Sequence, residues 1–238
     1  MPINLTFGYP GSSPLTPICA TFELTSRCNL DCKMCYVRLT PAEMEPLGRE
    51  LTANEWLELA QQAKDAGMVF LLLTGGEPTL QPELPHFLKS IKEQGFLVKL
   101  DTNGYRPEVL QSLVEAGLVD YVAMDVKNGP SHYAATTGHP GIVLDRITQS
   151  LRFLIASDVP YELRTTVVKE LHSEDSILEM GRWLAALVPG KLPKVLYLQS
   201  FVDRESVLFS GLSAPESALV EQYRDILAAF AEEVTIRN

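Results

Sequence analysis

The 238-residue sequence is short of positive charge, of cysteines spread along the chain and of long apolar runs. Lys and Arg number 20 against 30 Asp and Glu, a formal net charge of −10. That balance argues against nucleic acid or an anionic membrane as a main partner, since both reward a basic face. No apolar run approaches the roughly 18 residues of a membrane-spanning helix, so no segment is expected to cross a bilayer. The N-terminal stretch carries Pro2, Pro10, Pro14 and Pro17 and no basic segment ahead of an apolar core, so no signal peptide is expected. Low-complexity tracts and short repeats are also missing. Of four cysteines, three fall between Cys28 and Cys35, which is no disulfide framework and fits a reducing cytoplasm.

What the chain does have is a recurring unit: a short apolar run, a polar turn, then a helical pattern. The runs fall at residues 18–24, 68–74, 97–100, 121–125, 161–168 and 195–201. They are rich in Val, Leu, Tyr and Thr and do not alternate cleanly, which is how strands buried on both faces read. Thr52 with Glu55 forms a capping box ahead of Trp56, Leu59, Ala60 and Ala63. Pro82 opens a helix with Leu84, Phe87, Leu88 and Ile91 on one face. Further helices run from Pro107 to about Ala116, stopped by Gly117, from Val143 to Ile155, and from near Ser173. A second capping box, Ser213 with Glu216, starts the last helix, and residues 234–236 can add an edge strand. Six β/α units in order argue for an α/β fold with a parallel sheet and right-handed crossovers, curled into a partial (β/α)6 barrel. A full eight-unit barrel typically takes about 250 residues. One domain is expected over residues 1–238, with a core at about 18–200 and a C-terminal helix and short strand at 213–238.

The densest chemistry is the stretch Cys28-Asn29-Leu30-Asp31-Cys32-Lys33-Met34-Cys35, directly after the first run. Thiolates at C-x3-C-x2-C spacing on one short loop suit an iron–sulfur cluster or a zinc ion. Three protein ligands on a cube of four irons leave one iron open to bind something and reduce it. A zinc site would need a fourth ligand that is not apparent at the usual spacing, and a group of buried thiols without metal is the plainest alternative. Arg27 and Lys33 stand close in sequence and would favour thiolates. Cys19, inside the first run, reads as a small buried apolar side chain.

In parallel barrels the chemistry collects at the C-terminal ends of the strands. The cysteine loop follows strand one, Gly75-Gly76-Glu77-Pro78 strand two and Asp101-Thr102-Asn103-Gly104 strand three. Asp125 and Lys127 end strand four, Arg164 lies in strand five and Gln199 ends strand six. Two glycines let backbone approach a ligand closely, or serve a tight turn. Asp101 and Asp125 on one rim call for a cation or a shared proton. A buried Arg164 needs an anion. The charged segment from Arg38 to Glu50, with Pro41 and Pro46, reads as a loop over this rim or a solvated connector. His132, His139 and His172 read as surface or partner-contacting loop residues.

The cysteine loop after strand one and Gly-Gly-Glu-Pro after strand two together resemble the radical S-adenosylmethionine (SAM) enzymes, over about residues 18–200. The resemblance implies a 4Fe–4S cluster on Cys28, Cys32 and Cys35 with SAM on the open iron. An electron from the cluster would cleave the sulfonium and give a 5′-deoxyadenosyl radical that takes a hydrogen from substrate. Leu100 to Gly104, Asp120 to Lys127 and residues 163–168 are further similar to the glycyl-radical-enzyme activases, nearest to activating proteins of anaerobic ribonucleoside-triphosphate reductase. That likeness implies hydrogen abstraction from a backbone glycine of a large partner enzyme and a flavodoxin or ferredoxin-like electron donor. It implies SAM contacts from Tyr36, Gly75, Gly76, Glu77, Pro78, Asp101, Asn103, Lys127 and Arg164, and, as in some activases, a monovalent cation at Asp101 and Asp125. The lead-in from Leu24 to Leu30 looks instead like peptide-modifying radical SAM maturases. Two other readings stay open. One is a radical SAM enzyme acting on a small molecule, of the 7-carboxy-7-deazaguanine synthase type. The other is no enzyme: an Fe–S electron carrier or a zinc-binding module.

Overall fold

The computed structural model describes residues 18–37, 48–204 and 206–237. The expected loop over the rim, Arg38 to Glu50, lies outside them as far as residue 47, as do the four N-terminal prolines. Seven strands form one all-parallel sheet in sequence order: β1 (Cys19–Thr25), β2 (Phe70–Gly75), β3 (Leu97–Thr102), β4 (Tyr121–Asp125), β5 (Tyr161–Val167), β6 (Val195–Ser200) and β7 (Glu233–Arg237). Between them lie α1 (Ala53–Asp65), α2 (Leu84–Glu93), α3 (Pro107–Glu115), α4 (Pro130–Thr137), α5 (Leu144–Ala156), α6 (Glu174–Ala185) and α7 (Ser217–Leu227). The tail expected as an edge strand pairs with β6 from Val195↔Glu233 to Gln199↔Arg237. Among the described residues the sheet does not close, because there β1 pairs only with β2 and β7 only with β6. Among the described residues no helix is long and apolar enough to cross a membrane.

One face of the sheet packs under the helices. Phe22, Leu73, Leu100, Met124, Leu163 and Leu198 are buried there in one core with Leu88, Ile91, Leu110, Leu151 and Met180 from the helices. The other face is polar, against the expectation of strands apolar on both sides. Lys99 of β3 donates to Glu162 of β5 at 2.9 Å, its ammonium lying over the ring of Tyr121 in β4 at 5.0 Å. Arg237 of β7 reaches the same Glu162 with two bonds, at 3.0 and 2.8 Å, stacked over the ring of Tyr197 in β6. Next-but-one strands of a flat sheet stand about 9–10 Å apart. The polar face is the concave one, since one cavity on it takes residues from both edges of the sheet, Cys28 after β1 and Arg237 of β7.

The helix starts follow local chemistry in part. The Thr52–Glu55 capping box forms as read, with Thr52 N–H donating to Glu55 at 2.9 Å. At α2 the first turn holds Pro85, and Pro82 lies in the turn before it. The Ser213–Glu216 box does not form. Ser213 instead donates its backbone N–H, at 2.8 Å, and its hydroxyl to Glu170, and Glu216 caps α7 without a side-chain bond. A tertiary carboxylate outcompetes the local cap. Helix α4 has no counterpart in the sequence reading, because Pro-Ser-His-Tyr-Ala-Ala-Thr-Thr carries no apolar stripe. It is held by burial of Tyr133, Thr136 and Thr137, and it places His132 in a helix rather than a loop.

Candidate active site

The cysteine loop leaves β1 and is pinned from two sides. On one side Gly76 N–H donates to Thr25 O at 2.7 Å and Glu77 N–H to Arg27 O at 2.8 Å. On the other, Asp31 N–H donates to Thr137 O at 2.9 Å and Lys33 N–H to Thr136 O at 3.3 Å, at the C-terminal end of α4. Both contacts need glycine. A Cβ at Gly76 would lie 2.1 Å from Arg27 O, and one at Gly138, where φ is +62°, would lie 2.3 Å from Asp31 O. The space that the missing Cβ of Gly76 leaves is thus filled by the loop's own backbone. Leu30, Cys32 and Met34 fold inward against Val168 and Phe201 in a second small apolar cluster.

Glu77 is fully buried and spent on the protein itself. Its Oε1 accepts from Thr79 N–H at 3.1 Å, from the Thr79 hydroxyl at 2.6 Å and from the Thr102 hydroxyl at 2.8 Å, and its Oε2 from Asn103 N–H at 2.7 Å. Burial raises its pKa, and the Asn103 N–H and the Thr79 and Thr102 donors work against that. The carboxylate ties the turn after β2 to the turn after β3.

Four charges meet at the ends of β3, β4 and β5. Arg164 donates to Asp101 and to Asp125, each at 3.0 Å, and Lys127 donates to Asp125 at 2.8 Å. Burial alone would raise the Asp125 carboxyl, but Arg164 and Lys127 overcome it and hold the group at about 2. Asp101 goes the other way: burial and the neighbouring Asp125 raise it despite Arg164. The expected monovalent cation between the two carboxylates has a counterpart in the chain, since the Arg164 guanidinium stands bonded to both. Asp101 Oδ1 is buried with no hydrogen-bond partner among the described residues. Lys127 is positioned by His172, which is buried rather than at the surface. Val168 N–H donates to His172 Nδ1 at 3.1 Å, so Nε2 carries the hydrogen and donates to Lys127 O at 2.9 Å. Burial lowers the His172 pKa, in keeping with a neutral ring.

A cavity of about 420 Å³ brings these groups together. Cys28, Cys32, Cys35, Tyr36, Gly75, Gly76, Asp101, Asn103, Asp125, Lys127 and Arg164 all line it, whereas Glu77 and Pro78 do not. The far wall holds Thr166, Gln199 and Ser200, with Arg237 and Arg204 beside them. Arg204 stacks on the Tyr36 ring at 4.6 Å. Neither arginine was read from the sequence. Arg204 was accessible by the strand-end rule, just past β6, while Arg237 depends on the register of β7. Burial pushes the Cys28 and Cys32 thiols up, Cys32 to about 12, and at both sulfurs the cation that opposes this is Lys127. It is not Arg27 or Lys33; Arg27 is paired with Glu50. Cys19 lies on the concave face, half-buried rather than enclosed. Among the described residues no three His, Cys, Asp or Glu side chains are gathered for a single metal ion. The donor set, three thiols around open space with an orphaned carboxylate oxygen nearby, fits a thiolate-held cluster with a polar ligand beside it.

Residues 22–184 match the family model described as the radical SAM superfamily. A Methanocaldococcus jannaschii protein provisionally named a glycyl-radical enzyme activating enzyme is 26% identical over 89% of this chain and 85% of its own length. The AdoMet-dependent heme synthase of Methanosarcina barkeri is 31% identical over 72% of this chain, which spans about half (49%) of that protein. Among solved structures, Streptococcus suis SuiB bound to S-adenosylmethionine superposes with a TM-score of 0.70 at 13% identity, over 93% of this chain and 51% of SuiB. At that identity the likeness is one of fold.

Proposed function

The chain belongs to the radical SAM superfamily, and from that premise we propose that it activates a glycyl radical enzyme. The observation that carries the chemistry is the convergence of Cys28, Cys32 and Cys35 on one cavity with Asp101, Asp125, Lys127 and Arg164. When bound, the cluster and SAM supply a reductively generated 5′-deoxyadenosyl radical. The chain's own part is to hold and orient. The three thiols would ligate the cluster. Two acids and two bases, already paired with one another, make a neutral polar ring suited to a zwitterionic amino-acid group, and Asp101 Oδ1 offers it an unused acceptor. Gly75 and Gly76 set the cysteine loop against that ring. The activase reading rests on the relative matched along nearly the whole of both chains. An unclosed sheet leaves the cavity approachable from the side, which suits a protein loop as substrate.

The test is anaerobic. Reconstituted protein should hold about four irons, and with dithionite and SAM it should release 5′-deoxyadenosine. Mixed with a glycyl radical enzyme from the same genome, it should produce a glycyl radical by EPR. Zinc uptake without SAM cleavage would end the enzyme reading. SAM cleavage with no radical in any such partner would instead favour peptide modification, the chemistry in the name of another relative, the PqqA peptide cyclase of Granulibacter bethesdensis.

A further inference from the structure

We infer that Asn103 is a positioning residue for the cluster's electronics, making it easier to reduce through a hydrogen bond to the Cys28 sulfur. This rests on the reading that Cys28, Cys32 and Cys35 hold an iron–sulfur cluster. Asn103 is buried, at 6% exposure, and held at its backbone N–H and at both side-chain polar atoms. Its backbone N–H donates to Glu77 Oε2 at 2.7 Å. Its side-chain Oδ1 accepts from Tyr105 N–H at 2.9 Å. That bond fixes which end of the amide is oxygen, since the flipped form would set two donors against each other. The NH2 group must then face the cysteine loop, where Nδ2 donates to Asn29 Oδ1 at 2.9 Å and stands 3.5 Å from Cys28 Sγ. Each of its two hydrogens has an acceptor. The backbone N–H of Leu30 reaches the same sulfur at 3.4 Å.

An asparagine in Asp-Thr-Asn-Gly needs only its oxygen to make the turn. The nitrogen is surplus to that purpose, and the structure spends it on a proposed cluster ligand. Hydrogen bonds to ligand sulfurs withdraw charge and favour the more negative, reduced cluster, which raises its potential. The same geometry gives the buried Glu77 a purpose. By gripping the Asn103 backbone, it aims the amide of one loop at the thiolate of another.

The test compares wild-type protein with Asn103→Asp and Asn103→Ser, each reconstituted anaerobically as the full chain. Both variants keep an oxygen for Tyr105 N–H and lose the N–H toward Cys28. The readout is the cluster midpoint in an EPR-monitored redox titration without SAM. The expected result is a shift to more negative potential in both. The reduced-to-oxidised ratio at a fixed donor potential should fall severalfold; a tenfold fall corresponds to about 59 mV for one electron. Unchanged midpoints with full iron content would overturn the inference and leave the cluster reading intact. No cluster in the wild type would instead overturn the cluster reading. Should both variants lose iron, pulsed EPR on reduced wild-type protein carrying heavy nitrogen in its asparagine side chains decides. A nitrogen coupling supports the bond, and its absence removes it.

Discussion

Gly76 sits against Arg27 so closely that a β-carbon on the glycine would fall 2.1 Å from the Arg27 carbonyl oxygen. The contact is backbone on backbone, so it has no side chain that can swing away. Gly76→Ala should therefore displace the lead-in to the cysteine loop, costing about 1–3 kcal/mol in stability and lowering the iron retained on reconstitution. Gly141→Ala is the control, because its Cβ would meet nothing closer than 3.7 Å. Urea denaturation and iron analysis of the two variants would check this. Equal iron content in both would dissociate the glycine from loop placement.

Arg164 is paired with two partly buried acids at once. Arg164→Leu leaves Asp125 with Lys127 and Asp101 with the Thr74 hydroxyl and the charge of Lys99, and the loss should stay at or below the about 3–5 kcal/mol that breaking a fully buried pair costs. Adding Asp101→Asn and Asp125→Asn should recover much of that loss, since the stranded charges are then gone. Denaturation of the single and triple variants measures it. A triple variant no more stable than the single one would contradict the charge account.

Acid should weaken the fold through Glu162. Burial opposes its ionisation, but Arg237 and Lys99 hold the carboxyl at about 2, against an ordinary value of 4.5. A depressed folded-state pKa gives stability that is present above pH 4.5 and lost as pH falls toward about 2. The loss is at most about 3 kcal/mol. Asp125, held at about 2 from an ordinary 3.8, adds to the lower part of the same window. Glu162→Gln should flatten the acid limb of a stability-against-pH curve measured by urea. A variant whose acid limb matches wild type would assign the limb to other groups.

Cys28→Ser and Cys35→Ser should abolish iron binding and leave the fold nearly untouched, within about 1 kcal/mol. The loop and its lead-in are held mainly by backbone bonds to Gly76, Glu77, Thr136 and Thr137, and the Cys28 sulfur adds two longer contacts, from Leu30 N–H and Asn103 Nδ2. Circular dichroism melts beside iron and sulfide assays would separate the two effects.

Much of the fold was legible because local patterns survive folding. The stripe Leu84, Phe87, Leu88 and Ile91 is buried as read, and the Thr52 cap forms as read. The failures share one cause. Ser213 prefers a distant Glu170 to its own helix, and α4 exists because Tyr133 and two threonines find burial elsewhere. Neither partner is visible from the residue itself.

The sequence by itself determined which groups share one rim. Three cysteines at fixed spacing after a strand, with acids and bases at later strand ends, are brought to one rim because the strand ends of a parallel sheet share it. Only the tertiary structure decided what each group touches. It spent Glu77 on Thr79, Thr102 and Asn103, placed Arg164 between two carboxylates, brought Lys127 toward the thiols and curled the sheet until Arg237 of the last strand reached the same cavity as Cys28. Spacing along the chain fixes which residues are near one another within a turn. The partners of a buried charge are set by curvature and register, which arise from the packing of all seven strands together.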